Sequence, residues 1–118
     1  MKLSEHQRVF TRNIAKLIVY AYQNGLELTF GEAYRTSEQQ LIYLQTGASK
    51  TMNSNHLRRL AVDFNVFENG DWIHKWETIK LLGDFWETLH PKNRWGGDWN
   101  KDDKKNGFID SPHFEMNI

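Results

Sequence analysis

Leu60-Ala61-Val62-Asp63-Phe64-Asn65-Val66-Phe67 is the clearest strand in the sequence. Successive side chains of a strand point to opposite faces, so this segment has one apolar face and one small or polar face. The apolar face carries Leu60, Val62, Phe64 and Val66. The other face carries Ala61, Asp63 and Asn65. The alternation predicts a half-buried strand, and Glu68-Asn69-Gly70-Asp71 predicts the turn that ends it.

Helical patterns lie on both sides of this strand. Ser4 is a candidate N-cap for a first helix, whose apolar residues recur at helical spacing until Asn24-Gly25 ends it. Ser37 is predicted to cap a second helix that runs to Leu44. A third helix is predicted from Trp76 to Leu89, although Gly83 within it weakens the pattern.

Three shorter segments complete the predicted fold. Leu26–Phe30 alternates like a half-buried strand, Trp95–Trp99 predicts a short strand or tight loop packed by its two indoles, and Phe114 and Met116 share the buried face of a last strand. We therefore expect a single α+β domain, in which helices pack around a small and mainly antiparallel sheet.

The composition excludes several classes of function. The chain has 118 residues, enough for one domain. Its 15 basic and 15 acidic side chains balance, which gives no electrostatic reason to bind nucleic acid. Without cysteine, any metal must be held by His, Asp or Glu. No segment is apolar for long enough to insert into a membrane, and the start is too polar for a signal peptide.

Two histidines and two carboxylates form a candidate zinc site. His56 and Asp63 are an odd number of residues apart, so His56 is expected on the turn before the strand. His113 would be a third ligand, and Asp110 could act as general base on water. Pro112 stiffens the link between them. From spacing alone the alternative stays open, in which the histidines are surface or core residues and Asp63 caps a turn.

Several separated motifs resemble a known family. Ser54-x-His56-x-x-x-x-Ala61-x-Asp63 resembles the Ser-x-His-x-x-Gly-x-Ala-x-Asp signature of zinc D-Ala-D-Ala carboxypeptidases and related peptidoglycan peptidases, the VanY-like group. Trp95-Gly96-Gly97-Asp98-Trp99 and Asp110-x-x-His113-Phe114 are similar to the L-alanyl-D-glutamate endopeptidase branch that phages use as endolysins. Tyr34-Arg35-Thr36 matches the same branch, so the resemblance spans about Gly31 to Glu115.

The resemblance implies a role for each of five residues. The zinc ligands would be His56, Asp63 and His113, and the catalytic base would be Asp110. Arg35 would face the cleft, where its guanidinium binds a substrate carboxylate or polarises the scissile carbonyl.

Asp110 also separates the branches, because the D-Ala-D-Ala dipeptidases place Glu before the last histidine. The resemblance thus implies a zinc enzyme that hydrolyses the L-Ala–D-Glu bond of the peptidoglycan stem peptide and lyses the cell wall. A D-Ala-D-Ala carboxypeptidase and a non-catalytic zinc- or wall-binding module are the alternatives. We expect a monomer without a separate wall-binding domain, held in the host cytoplasm until a membrane lesion releases it.

Some positions leave two interpretations open. Arg59 stands where the signature has Gly, so a left-handed backbone there would be strained unless the turn is rebuilt. Asp98 could orient a ligand histidine or cap a turn, and Ser54 could support the site or be an ordinary loop serine. Glu115 shares a strand face with His113, where it could have a minor role in the cleft. The charged run 101–105 is a solvated loop, or else a loop that closes over substrate or binds a regulatory cation.

Overall fold

Three α-helices and a five-stranded antiparallel sheet make up the fold. The computed structural model describes residues Met1–Ile118 and confirms the predicted α+β class. The elements follow one another as α1 (Leu3–Gln23), β1 (Leu26–Phe30), α2 (Ser37–Thr46), a short 3-10 helix (Asn55–Arg58), β2 (Ala61–Glu68), β3 (Asp71–Ile73), α3 (Trp76–Thr88), β4 (Asn93–Trp95) and β5 (His113–Met116). No helix combines the length and the apolar composition that a membrane span requires.

Strand β2 is the centre of the sheet, whose order is β1-β2-β5-β4. β1 pairs with the second half of β2, and β5 pairs with its first half through Ala61, Val62 and Asp63. β3 also pairs with β2, across a two-residue turn in which Asn69 and Gly70 both have positive φ, 53° and 82°. Two positive φ values are typical of the hairpin turn that the sequence predicts, so that prediction is confirmed.

The apolar face of β2 forms the core, as its alternation predicts. Val62, Phe64 and Val66 are each at most 4% exposed. Helices α1 and α3 pack with them, and Trp86 of α3 is completely buried. Its indole Nε1 donates hydrogen bonds to the carbonyl oxygens of Arg94 and Glu115, which ties α3 to both β4 and β5. The polar face of β2 is thereby left free for the site.

Gly83 brings α3 close to β4. A Cβ atom at this position would overlap the indole of the fully buried Trp95. The glycine that weakens the helical pattern in the sequence is therefore required by packing, and the predicted third helix is confirmed with Thr88 as its last residue.

Both predicted N-caps are wrong by one or two positions. Helix α1 begins at Leu3 with Lys2 as its cap residue, and the Lys2 N–H donates to Glu5 Oε1 at 3.4 Å, so Ser4 lies inside the helix. Thr36 caps α2, because its backbone is extended and its hydroxyl accepts from the Gln39 N–H at 3.1 Å. Adjacent Thr and Ser are both good caps, and only the backbone conformation decides between them.

Candidate metal centre

The register of β2 against β5 creates the site. Asp63 lies directly opposite His113, and Ala61 lies directly opposite Glu115. Residues opposite one another in an antiparallel pair point to the same face of the sheet. The polar side chains of both strands therefore gather on one face, while Val62 and Phe114 point to the core.

His56 reaches this face from the 3-10 helix Asn55–Arg58, just before β2. Ser54 caps that helix, since its hydroxyl accepts a hydrogen bond from the His56 N–H at 3.2 Å. His56 is 1% exposed, and its Nδ1 lies 2.7 Å from the carbonyl oxygen of Ala33. A carbonyl can only accept, so Nδ1 carries the proton and the lone pair is on Nε2.

The 3-10 helix ends at Arg59 in the left-handed conformation, with φ 56° and ψ 38°. Arg59 thus has the backbone conformation that favours glycine, which is the residue of the family signature at this position, although arginine carries a large side chain. The guanidinium lies 4.2 Å from the ring centroid of Tyr34, a cation–π contact that offsets part of the strain.

Three ligand atoms converge on one point. Asp63 Oδ1 lies 3.4 Å from His56 Nε2 and 3.1 Å from His113 Nδ1. The ligand atoms of these three residues all lie within 4.8 Å of one another. His56 Nε2 is buried without a hydrogen-bond partner. A buried polar atom without a partner costs free energy unless another group, such as a metal ion, binds it. Two imidazoles and a carboxylate in this arrangement fit a metal ion with an open position.

The charges at the site interact strongly. Burial opposes ionisation of Asp63, but the hydrogen bond with His113 and the electrostatic attraction of the two neighbouring imidazoles outweigh it and lower the pKa of Asp63. Burial also disfavours a charged His113, yet its hydrogen bonds with Asp63 and Glu115 raise its pKa to about 9. The carboxylates thus hold a proton on His113 that an incoming metal ion must displace.

Asp110 belongs to the same site. Its backbone is fixed by hydrogen bonds, the Asp110 N–H donating to Gly96 and the His113 N–H donating to Asp110, at 2.7 and 3.0 Å. Its carboxylate makes no hydrogen bond within the protein and lines the cleft that contains the three ligands. Burial is the main influence on Asp110 and raises its pKa, although the nearby His113 acts in the opposite direction.

A cleft of about 530 Å³ opens over the ligands. Arg35 lines its wall and is anchored by an ion pair with Glu32, by a 2.7 Å hydrogen bond from Nη1 to Gln40 and by a 3.4 Å one to Ser54. Trp99 lines another part, with its ring 5.3 Å from that of His113. The structure therefore brings Arg35 and Ser54 together with the three ligands and Asp110.

Asp98 lies three residues after the end of β4 and makes no hydrogen bond with either histidine. Its carboxylate accepts from the N–H groups of Asp102 and Asp103 at 3.2 and 2.9 Å, so it caps the charged loop. Besides Asp63, the carboxylate that contacts His113 is that of Glu115, at 2.8 Å from Nε2. The sequence contained one signal for this contact, namely that Glu115 shares a strand face with His113.

The fold and the site define a class, a small α+β protein with a His–Asp–His group that could hold a metal ion beside a free carboxylate. The chain belongs to the phage L-alanyl-D-glutamate peptidase family, which matches residues 4–117. It is 35% identical over 120 residues to the L-alanyl-D-glutamate peptidase of Listeria phage A118, with 98% of this chain covered. The chain spans 38% of the length of that relative.

Two solved structures have a similar fold. The L-Ala D-Glu endopeptidase ChiX of Serratia marcescens superposes with a TM-score of 0.68 at 22% identity, covering 96% of this chain and 84% of that one. The vancomycin-resistance D,D-pentapeptidase VanY from a VanB-type cassette, solved in complex with Zn(II), gives a TM-score of 0.63 at 16% identity, covering 91% and 70%. At these identities the likeness shows the fold.

Proposed function

We propose that this chain is a zinc-dependent peptidase that hydrolyses the L-Ala–D-Glu bond of the peptidoglycan stem peptide and acts as a phage endolysin. The observation that carries the proposal is the convergence of His56 Nε2, Asp63 Oδ1 and His113 Nδ1 beside the unpaired carboxylate of Asp110. Membership of the L-alanyl-D-glutamate peptidase family supports the choice of bond.

His56, Asp63 and His113 would hold the zinc ion. When bound, zinc acts as a Lewis acid that polarises a carbonyl and makes water nucleophilic near neutral pH. The orphaned Nε2 of His56, and Nδ1 of His113 once it has released the proton that it shares with Asp63, fit this donor set. We propose that the ion is zinc rather than another divalent metal.

Asp110 would carry the proton through the reaction. Its carboxylate takes a proton from the attacking water as the new C–O bond forms at the L-Ala carbonyl. It then gives that proton to the D-Glu nitrogen as the C–N bond breaks. A carboxyl whose pKa is raised by burial is better matched to both steps than one at its usual value.

Arg35 would position the anionic peptide. Its Nε and Nη1 are engaged by Glu32 and Gln40, which holds the guanidinium plane against the cleft wall. A fixed guanidinium suits a planar carboxylate, because its donors match the two oxygens. We further propose that the protein acts as a monomer and stays in the host cytoplasm until it is released to the wall.

Mass spectrometry of digested peptidoglycan tests the proposal. Zinc-loaded protein is expected to release stem peptides with new N-terminal D-Glu, and a chelator should abolish this product until zinc is restored. Release of D-Ala alone would instead assign a D-Ala-D-Ala carboxypeptidase. Bound zinc without any product would favour a non-catalytic binding module.

A further inference from the structure

Glu115 occupies an unusual position next to the metal centre. It lies on β5 two residues after His113, shares its face, and is 4% exposed. Its Oε1 is 2.8 Å from His113 Nε2, which therefore donates and carries the proton. With Nε2 held protonated, Nδ1, the nitrogen that faces Asp63, is the one that gives up its proton to a metal ion and offers the lone pair.

The second oxygen of Glu115 connects to two further elements. Oε2 accepts from Nε and Nη2 of Arg94 on β4, at 2.9 and 2.6 Å. It also accepts from Nδ2 of Asn55 at 2.9 Å. Asn55 directly precedes His56 in the 3-10 helix, so one carboxylate joins the segments that carry both histidines.

We propose that Glu115 is the positioning residue of the metal centre, fixing the tautomer of His113 directly and the placement of His56 through Asn55. A buried carboxylate is costly unless its oxygens are hydrogen-bonded, and four N–H groups satisfy this one. Partners that orient a metal-bound histidine and increase its basicity strengthen metal binding. The inference rests on the metal site of the proposed function, but not on the reaction.

Zinc affinity measured without substrate tests this role. We expect Glu115→Ala to weaken zinc binding by roughly 10- to 100-fold and Glu115→Gln to weaken it less, since an amide oxygen still accepts from His113. The measurement is competition with a chromophoric chelator, and the visible spectrum of the Co²⁺ form reports the coordination geometry. Glu87→Gln is the matched control, because Glu87 is a partly buried carboxylate that bonds the Trp95 N–H away from the ligands.

Two outcomes would overturn the inference. One is a folded Glu115→Ala protein with unchanged zinc affinity and an unchanged Co²⁺ spectrum. The other is a loss of thermal stability in the chelator-treated variant without any loss of affinity, which would make Glu115 a purely structural residue. If Glu115→Ala does not fold, the nearly isosteric Glu115→Gln decides by the same criterion. Peptidoglycan hydrolysis is measured separately, so failure of the peptidase proposal leaves this result unaffected.

Discussion

At the scale of single residues, the unpaired carboxylate of Asp110 gives the sharpest prediction. Asp110→Asn removes the proton acceptor while keeping size and shape, and we expect hydrolysis to fall by about 10²- to 10⁴-fold. Zinc content should stay at one equivalent, because Asp110 is not among the three converging ligands. Activity and metal content are measured on the same preparation. Undiminished hydrolysis in the variant would remove Asp110 from the mechanism.

Arg59 allows a second prediction about one residue. Its φ of 56° is unfavourable for any residue with a Cβ, so Arg59→Gly should relieve strain that Arg59→Ala retains. We expect the glycine variant to be about 1 kcal/mol more stable than the alanine variant in urea unfolding. Both variants lose the cation–π contact with Tyr34, which makes this pair a matched comparison. Equal stabilities would show that the turn relaxes in the alanine variant.

His113 gives the pH dependence of the metal-free protein. Its folded pKa of about 9 exceeds the usual 6.5, so its contribution to stability is complete below about pH 6.5 and is lost as the pH rises through 9. That contribution has an upper bound of roughly 3 kcal/mol. Urea unfolding of chelator-treated protein at pH 6.5 and 9 measures it, with His113→Gln as control. A flat profile in the unsubstituted protein would contradict the assigned hydrogen bonds.

The ligand set and its supporting carboxylate differ in how far sequence could predict them. The spacing and the family resemblance name His56, Asp63 and His113, and the structure places their ligand atoms within 4.8 Å of one another. Neither predicts that Glu115, rather than Asp98, contacts a histidine. The spacing of two residues on one strand gave a signal for Glu115, but the role of Asp98 depends on how the loop after β4 folds, where its carboxylate accepts from the N–H groups of Asp102 and Asp103.

At the scale of secondary-structure elements, Gly83 determines how closely α3 approaches β4. Alanine has the higher helix propensity, but its Cβ would overlap the Trp95 indole. We expect Gly83→Ala to destabilise the protein by about 1–3 kcal/mol, because overpacking outweighs the propensity gain. Leu81→Ala, at an exposed position of the same helix, is the control and should cost less. If the Gly83→Ala protein were more stable than the unsubstituted one, α3 and β4 would be able to move apart without a cost in free energy.

Element types were easier to predict than element ends. The alternation in β2 and the apolar stripe of α3 are long, regular patterns, and both elements lie where they are predicted. The caps of α1 and α2 depend on one backbone conformation each, and neighbouring residues such as Thr36 and Ser37 compete for the same role. Short β4 has too few residues for a periodic pattern, and of the segment Trp95–Trp99 that was predicted as a short strand or tight loop only Trp95 belongs to it.

At the scale of the whole molecule, metal binding should stabilise the fold. The ligands come from the 3-10 helix, β2 and β5, so an ion that binds them joins three separate segments. At free zinc 100-fold above Kd, the free energy of unfolding should rise by about 2.7 kcal/mol. Thermal unfolding with and without chelator measures this, and His56→Ala is the control that should show little response. Equal responses in both proteins would place the zinc elsewhere.

The register of β5 has a consequence for how the chain is assembled. His113 and Asp63 are 50 residues apart, and β5 lies between two strands that precede it in the sequence. A slip of one residue would turn Phe114 toward the cleft and His113 toward the core. A chain in which β5 is unpaired or out of register therefore lacks the third candidate ligand, and uptake of metal at full affinity would report correct pairing of the sheet during synthesis.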